Sequence, residues 1–265
     1  MTRRRALAWL VSTPLAGQMA ERQKRGREVV DAAVGALGGA RFRSFKDRVE
    51  HGRAYSYYRE RLSGLTRATI YTRYLTPPER PDPGQLYQRE RQAFGKDQDY
   101  AALFDETQGY QITFRGATPL PEATLLRYRD SARRNVFYTL KQRLSEPGLL
   151  IERVGSGVHD NQPVDIVEFT DSGNVTVKVL FHQSTHLPVR QEFVRRDPQT
   201  RERFEEVTLF SKYRDVNGIQ WPWAITRFRN NEKIFDLLSE SVAINQDLSD
   251  QLFTLPANMK LLSPK

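Results

Sequence analysis

The sequence predicts an α+β fold in which one long antiparallel sheet of about ten or eleven strands is accompanied by two helices. Three observations lead there. Apolar and polar residues alternate along short runs through most of the chain. Small turns rich in Gly, Asn, Asp or Pro separate those runs. Helical spacing is confined to residues 21–37 and 122–144. With 265 residues, 38% of them hydrophobic and 28% charged, the chain is long enough to bury a core without staples. No apolar run reaches the ~20 residues of a membrane-spanning helix. The absence of cysteine removes disulfides, zinc–thiolate sites, iron–sulfur clusters and thiol catalysis together.

The chain opens on Met1-Thr2-Arg3-Arg4-Arg5, turns apolar over Ala6–Val11 and then runs through small residues to Ala20. That order is the layout of a secretory signal, and Thr2-Arg3-Arg4 resembles a twin-arginine one. Residues 1–20 are therefore expected to direct export, and residues 21–265 to form a single domain. A basic tail with a short amphipathic helix is the alternative. Gln18 stands where a lipoprotein signal needs Cys, so no lipid anchor is expected.

Val29, Val30, Ala33, Val34 and Leu37 share one face of the first helix, and Gly38-Gly39 stops it. Extended runs at 41–50, 53–62 and 65–75 follow, with His51-Gly52 and Ser63-Gly64 read as hairpin turns. The proline-rich stretch Pro77–Gly84 has too few ladder donors for a sheet interior and forms a loop. Residues 85–94 and 110–114 are further strand candidates. In the second helix Leu125, Tyr128, Ala132, Val136, Leu140 and Leu144 share a face, and Pro147-Gly148 ends it. Seven strands then meander to residue 244, at 149–154, 164–170, 175–181, 187–194, 204–214, 219–228 and 234–244. Asp160-Asn161, Asp171-Ser172-Gly173-Asn174, Asp197-Pro198, Asn217-Gly218 and Asn230-Asn231 supply turns between them.

Alternation such as Val175, Val177, Val179, Phe181 or Trp221, Trp223, Ile225 gives each strand one apolar face. A long sheet twists and curls, so one face becomes concave. Where the helices leave that face uncovered, an apolar cavity results.

Several stretches of the second half resemble the LolA-like superfamily, the lipoprotein carriers and the LppX- and RseB-like proteins of the bacterial envelope. They are Asp171-Ser172-Gly173-Asn174-Val175-Thr176-Val177, Thr185-His186-Leu187-Pro188-Val189-Arg190, Phe210 through Pro222 with its Asn217-Gly218 turn, and Leu252-Phe253-Thr254-Leu255-Pro256. Ala36-Leu37-Gly38-Gly39 and the exported-looking start fit the same group. His182 departs from it, since related chains often place an acidic residue before the Thr-x-Leu-Pro turn. The resemblance implies a curved antiparallel half-barrel whose concave face is covered by helices and holds acyl chains. On that basis Val177, Val179, Phe181, Phe193, Phe210, Trp223, Ile225, Leu238 and Val242 are the expected lining.

The polar residues offer little catalytic chemistry. His182 and His186 are four apart in a strand end and turn, which does not bring them together as ligands, so no metal is expected. His159 beside Asp160 lacks a nucleophile motif, and Gly155-Ser156-Gly157 lacks the Lys of a phosphate loop and reads as a turn. Glu202, Glu205 and Glu206, interleaved with Arg201 and Arg203, read as a solvated surface. The formal charge of +9 favours anionic partners. The basic residues of the second helix, Arg127, Arg129, Arg133, Arg134, Lys141 and Arg143, suit lipid head groups better than nucleic acid, because no RNA-binding strand motif or zinc finger accompanies them. The expectation is a periplasmic, monomeric, non-enzymatic carrier of lipid or lipoprotein acyl chains that contacts a membrane or membrane protein transiently, without catalytic residues, cofactor or nucleic acid. An RseB-like sensor acting through a protein partner is the alternative, and an exported hydrolase the third choice.

Overall fold

The computed structural model describes residues 13–82, 84–196 and 201–263. Thirteen strands form one open sheet in which every neighbouring pair is antiparallel. The first six are β1 Asp47–Tyr58, β2 Arg61–Tyr74, β3 Gln88–Phe94, β4 Tyr100–Phe104, β5 Gly109–Thr113 and β6 Gly116–Pro119. The other seven are β7 Leu150–His159, β8 Gln162–Thr170, β9 Thr176–His182, β10 Pro188–Arg196, β11 Arg203–Val216, β12 Ile219–Arg229 and β13 Glu232–Ile244. Each set is a meander. Pairing of β1 with β13 joins the two, so the order runs from β6 to β1, then from β13 to β7.

Among the described residues four α-helices accompany the sheet, α1 Thr13–Leu37, α2 Ala40–Ser44, α3 Glu122–Arg134 and α4 Val136–Tyr138, the last continuing as a π-helical turn over Thr139–Arg143, and a 3-10 turn spans Asp250–Phe253. The α+β class and the open antiparallel sheet are as expected, but the strands number thirteen rather than ten or eleven. Residues 40–44 are helical, and His51-Gly52 lies within β1 rather than in a turn, opposite a bulge at Glu240 of β13. Gly52 passes so close to the Leu238 carbonyl that a Cβ would not fit. The first hairpin instead turns at Arg59-Glu60, both left-handed at φ 48° and 61°, with side chains that carry no turn signature. Gly155-Ser156-Gly157 lies within β7, and the turn is made by the left-handed Asp160 and Asn161. Strands β4 and β6, five and four residues long, are too short for alternation to announce them.

The main core lies where α1, α2, α4 and the π-turn meet the second meander. Val30, Ala33 and Leu37 of α1, Phe42 of α2 and Leu140 are completely buried. Phe137 stands edge-on to Phe210 with ring centres 5.0 Å apart and also lies 5.0 Å from Trp221. Helix α1 sits closely on β7 because Gly26 has no side chain, and a Cβ there would come within 2.7 Å of the Ile151 carbonyl oxygen. The helix starts eight residues before the expected Glu21; the rest of the expected signal, residues 1–12, lies outside the described residues, as does the turn expected at Asp197-Pro198.

The second expected helix is one segment in sequence but three in space. At Asn135 ψ is 129°, which ends α3, while the Asn135 side chain accepts from the Phe137 and Tyr138 amides and caps α4. Below this break Val136, Phe137, Tyr138 and Leu140 are buried; above it α3 buries no side chain fully. A second, smaller core joins β1, β3, β4, β5 and β6 to Leu248 and Phe253. Residues 260–262 complete that end: Ala117 of β6 donates its amide to the Lys260 carbonyl at 2.9 Å and accepts from the Leu262 amide at 2.8 Å.

Candidate functional site

A hollow of about 250 Å³ lies between α3 and the middle of the sheet. Period-two geometry decides which side chains enter it. Strand β2 contributes Ala68, Ile70, Thr72 and Tyr74, and β3 contributes Gln88, Glu90, Gln92 and Phe94. Arg48 and Glu50 come from β1, Trp221, Ile225 and Arg227 from β12, Phe235 and Leu237 from β13. Tyr128, Ser131 and Ala132 of α3 form the roof. Its lining thus mixes apolar and charged side chains, Ile70 lying opposite Glu50 and Phe235 opposite Arg227.

The charged part of the lining has three members. Arg48 and Glu50 form a buried ion pair, in which Thr72 accepts from Arg48 at 3.1 Å and Ser239 donates to Glu50. The Arg48 guanidinium also stacks 4.4 Å from the Trp221 ring centre. Arg48 Nε and Trp221 Nε1 are buried donors without a protein acceptor. The Glu90 carboxylate accepts from the Gln88 amide at 3.1 Å and the Gln92 amide at 2.6 Å. Burial pushes its pKa above the usual carboxylate range, while the Gln92 hydrogen bond and the Arg48 and Arg227 charges oppose that shift. Arg227, the third member, has no carboxylate within ion-pairing distance among the described residues. Its guanidinium stands 5.6 Å from the Phe235 ring centre, and the residue is exposed to solvent.

Helix α3 is held over the hollow chiefly by polar contacts. Tyr128 stacks on Phe104 with ring centres 3.7 Å apart and accepts from the Gln88 amide at 3.2 Å. Arg133 donates to the Gln85 carbonyl at 2.7 Å and pairs with Glu146 at 3.0 Å. Arg195 of β10 donates to Ser131 Oγ at 2.7 Å. The basic residues of this segment are therefore mostly committed inside the protein. Arg129 donates to the Glu106 carbonyl, Arg134 pairs with Asp130, and Arg143 binds Glu146 and Asp171. Lys141 is buried, donating to the Phe42 and Arg43 carbonyls at 3.2 and 2.9 Å over the Phe45 ring. Arg127 remains exposed, so the head-group surface expected of this helix is not there.

Of the nine expected lining residues, Ile225 alone lines the hollow. Val177, Val179, Phe181, Phe193 and Phe210 are buried in the closed main core, because α1 and α4 cover their part of the sheet, and Val242 packs against that core. Trp223 belongs to no core cluster and stacks with Arg214 at 4.2 Å. Leu238 is 38% exposed, since alternation turns it away from the face that its neighbour Leu237 occupies. Side chains of β3 that line the hollow were missed for a reason: the strand reads Gln88-Arg89-Glu90-Arg91-Gln92-Ala93-Phe94, and only Phe94 at its end is apolar on the inner face.

Among the described residues no cluster of three His, Asp or Glu could hold a metal, and no helix is long and apolar enough to cross a membrane. His182 holds the following turn together. Its Nδ1 accepts from the Ser184 and Thr185 amides at 3.1 and 3.2 Å, where an acidic side chain would do the same.

Comparison by sequence finds no matching family model and no matching curated protein. Solved structures do match. A DUF1329 family protein from Desulfovibrio piger aligns over 88% of this chain and 97% of its own, with TM-score 0.58 and 14% identity. A LolA superfamily protein from Nitrosomonas europaea aligns over 87% and 97%, with TM-score 0.55 and 12% identity. A candidate outer membrane lipoprotein-sorting protein domain from Vibrio parahaemolyticus aligns over 86% and 97%, with TM-score 0.55 and 10% identity. Nearly the whole of each neighbour is matched at an identity too low to carry more than architecture, and that architecture makes this a LolA-like fold.

Proposed function

We propose that the chain is an exported, non-enzymatic carrier that shelters the acyl part of a lipid or lipoprotein in the hollow beneath α3, for transfer within the bacterial envelope. The observation that carries this reading is a hollow whose lining includes the apolar Ile70, Phe94, Ile225, Phe235 and Leu237, under a helix that buries no side chain fully. Covering ~300 Å² of acyl surface contributes on the order of 7 kcal/mol before the costs of association, enough to compete with a membrane for part of a chain. The LolA-superfamily and lipoprotein-sorting names of two fold neighbours agree with this use.

Loading and release then require α3 to move about the break at Asn135. The test exploits the absence of native cysteine. Cysteines replacing Glu106 and Arg129, positions bridged by one arginine side chain, are joined by a short bis-maleimide. Transfer of a fluorescent acyl lipid from donor to acceptor vesicles should stop in the cross-linked protein and persist in the same variant left unlinked. Organic extraction and mass spectrometry of the purified native protein should recover an acylated molecule. A protein that is natively folded, empty and inert toward the fluorescent lipid would remove the carrier reading.

A further inference from the structure

The basic face expected on the second helix is committed inside the molecule, yet the chain register gathers exposed cations elsewhere, at one end of the sheet. The β1–β2 turn at Arg59-Glu60, the β3–β4 connection at residues 95–99 and the β5–β6 turn at Phe114-Arg115 all fall at that end, as alternate connections of an antiparallel meander must. The first of them overhangs its neighbour. The last β2–β3 pair is Ala68 with Phe94, and β2 continues away from it through residues 61–67, roughly 20 Å at ~3.3 Å per residue.

These tips hold apolar side chains that no core covers. Leu62 and Leu65 are more than half exposed, and because they pair with Tyr57 and Tyr55 they share one face of the ribbon. Tyr58 is more than half exposed too, and Phe114 is 85% exposed. Each of these rings has the guanidinium of the next residue, Arg59 or Arg115, 5.3 Å from its centre. The exposed Tyr100 stands 5.7 Å from Phe94, so apolar surface continues from the tips to the lining of the hollow. Among the described residues Arg59, Arg61, Arg67, Lys96 and Arg115 pair with no carboxylate, and the three tips set these five cations against Glu60, Asp97 and Asp99.

We propose that this end of the sheet docks on an anionic phospholipid bilayer, its rings and leucines entering the interfacial layer while the unpaired cations lie against the head groups. Aromatic rings and leucines flanked by arginine are the side chains that settle at that depth. The apolar groups stand on separate projecting tips, a shape that a fluid surface accepts at once, whereas a folded partner would need a pocket for each. The proposal goes beyond the carrier reading and is independent of what the hollow holds.

The test sediments the full chain with vesicles of phosphatidylcholine alone or of equimolar phosphatidylcholine and phosphatidylglycerol. Binding to the anionic vesicles should be at least 10-fold tighter and should weaken as salt is raised. Replacing Arg59, Arg61 and Arg67 together by Gln should erase most of that preference. Leu62→Ser combined with Leu65→Ser, and separately Phe114→Ser, should weaken binding several-fold while urea melts stay native, because none of these side chains belongs to a core. The absence of native cysteine permits a depth reading. An environment-sensitive fluorophore on Leu62→Cys or Phe114→Cys should shift to the blue on anionic vesicles, and on Val158→Cys, exposed at the opposite end of the sheet, it should not. No binding, equal binding to both kinds of vesicle, or equal shifts at all three positions would overturn the proposal. So would self-association in place of vesicle binding, abolished by the paired serines, which would make the tips an interface between copies. A chain that docks but is empty and inert toward lipid loses the carrier reading alone, and one that carries lipid without docking loses this proposal alone.

Discussion

Replacing Tyr128 by alanine should free α3 while leaving the rest of the molecule folded. The magnitude follows from what the ring touches. Its stack on Phe104, at 3.7 Å between ring centres, is worth ~0.5–1.5 kcal/mol, and the hydrogen bond from Gln88 about 1 kcal/mol. Their sum, about 2 kcal/mol, is a ~30-fold change in the equilibrium between docked and undocked helix. Because α3 buries no side chain fully and ends at the Asn135 break, the loss should stay local. Native-state hydrogen exchange resolves this. Amides of residues 122–134 should exchange ~30-fold faster in Tyr128→Ala, while the slowest amides of β8 and β12 keep their native rates. Leu140→Ala is the contrast: that side chain is fully inside, and its truncation should lower global stability by about 2–5 kcal/mol and accelerate every protected amide. If Tyr128→Ala accelerated β8 and β12 as much as α3, the helix would be integral to the core and the moving-cover mechanism would be wrong.

Other expectations follow from single contacts. Burial among Phe45, Tyr74 and the α2 carbonyls, with Arg43 adding its charge, pushes the Lys141 amine down to about 7 from its ordinary 10.5. The unfolded chain therefore holds a proton there that the folded chain sheds, so stability should rise between about pH 7 and 10, by up to ~1.4 kcal/mol per pH unit, relative to Lys141→Met. Above that window Tyr74 and Tyr138, raised by burial to about 12, cost stability in turn; urea melts of both proteins at pH 7, 8 and 9 with a constant difference would refute the Lys141 assignment. Phe181→Ala should lose ~3–5 kcal/mol and Leu238→Ala less than about 1 kcal/mol in the same melts, since one is 1% and the other 38% exposed. His182→Ala should cost about 1 kcal/mol by orphaning two turn amides, and His182→Asp should recover most of it; equal losses would show that the ring acts by packing instead.

The second meander was legible because its strands alternate and its turns carry Asn and Gly: Asn217-Gly218 links β11 to β12, and Asn217 is left-handed at φ 55°. The first meander was harder to read. Glycine there marks close approaches within strands, as at Gly52, while the actual turn falls on Arg59-Glu60. The break in the second helix rests on a single Asn whose side chain serves as a cap, and periodicity passes through it unchanged. Apolar alternation located the core correctly and the hollow poorly. Val179 and Phe181 are buried by α1 and α4, whose paths over the sheet are tertiary facts, whereas Gln88, Glu90 and Gln92 sit in a strand whose sequence is mostly polar and looks solvated.

An open sheet of thirteen strands has two flanks, and each is a row of hydrogen-bonding groups onto which a foreign strand can add. Here both are guarded by segments distant in sequence. Helix α1 presses on the backbone of β7 at Gly26, and residues 260–262 fasten to Ala117 of β6. Self-association is thus discouraged at little cost in length, and the guard on β6 is the more fragile, resting on two backbone hydrogen bonds. Deleting residues 259–265 would bare that flank, and ribbon-like oligomers growing through β6 would follow even though the hollow itself is untouched.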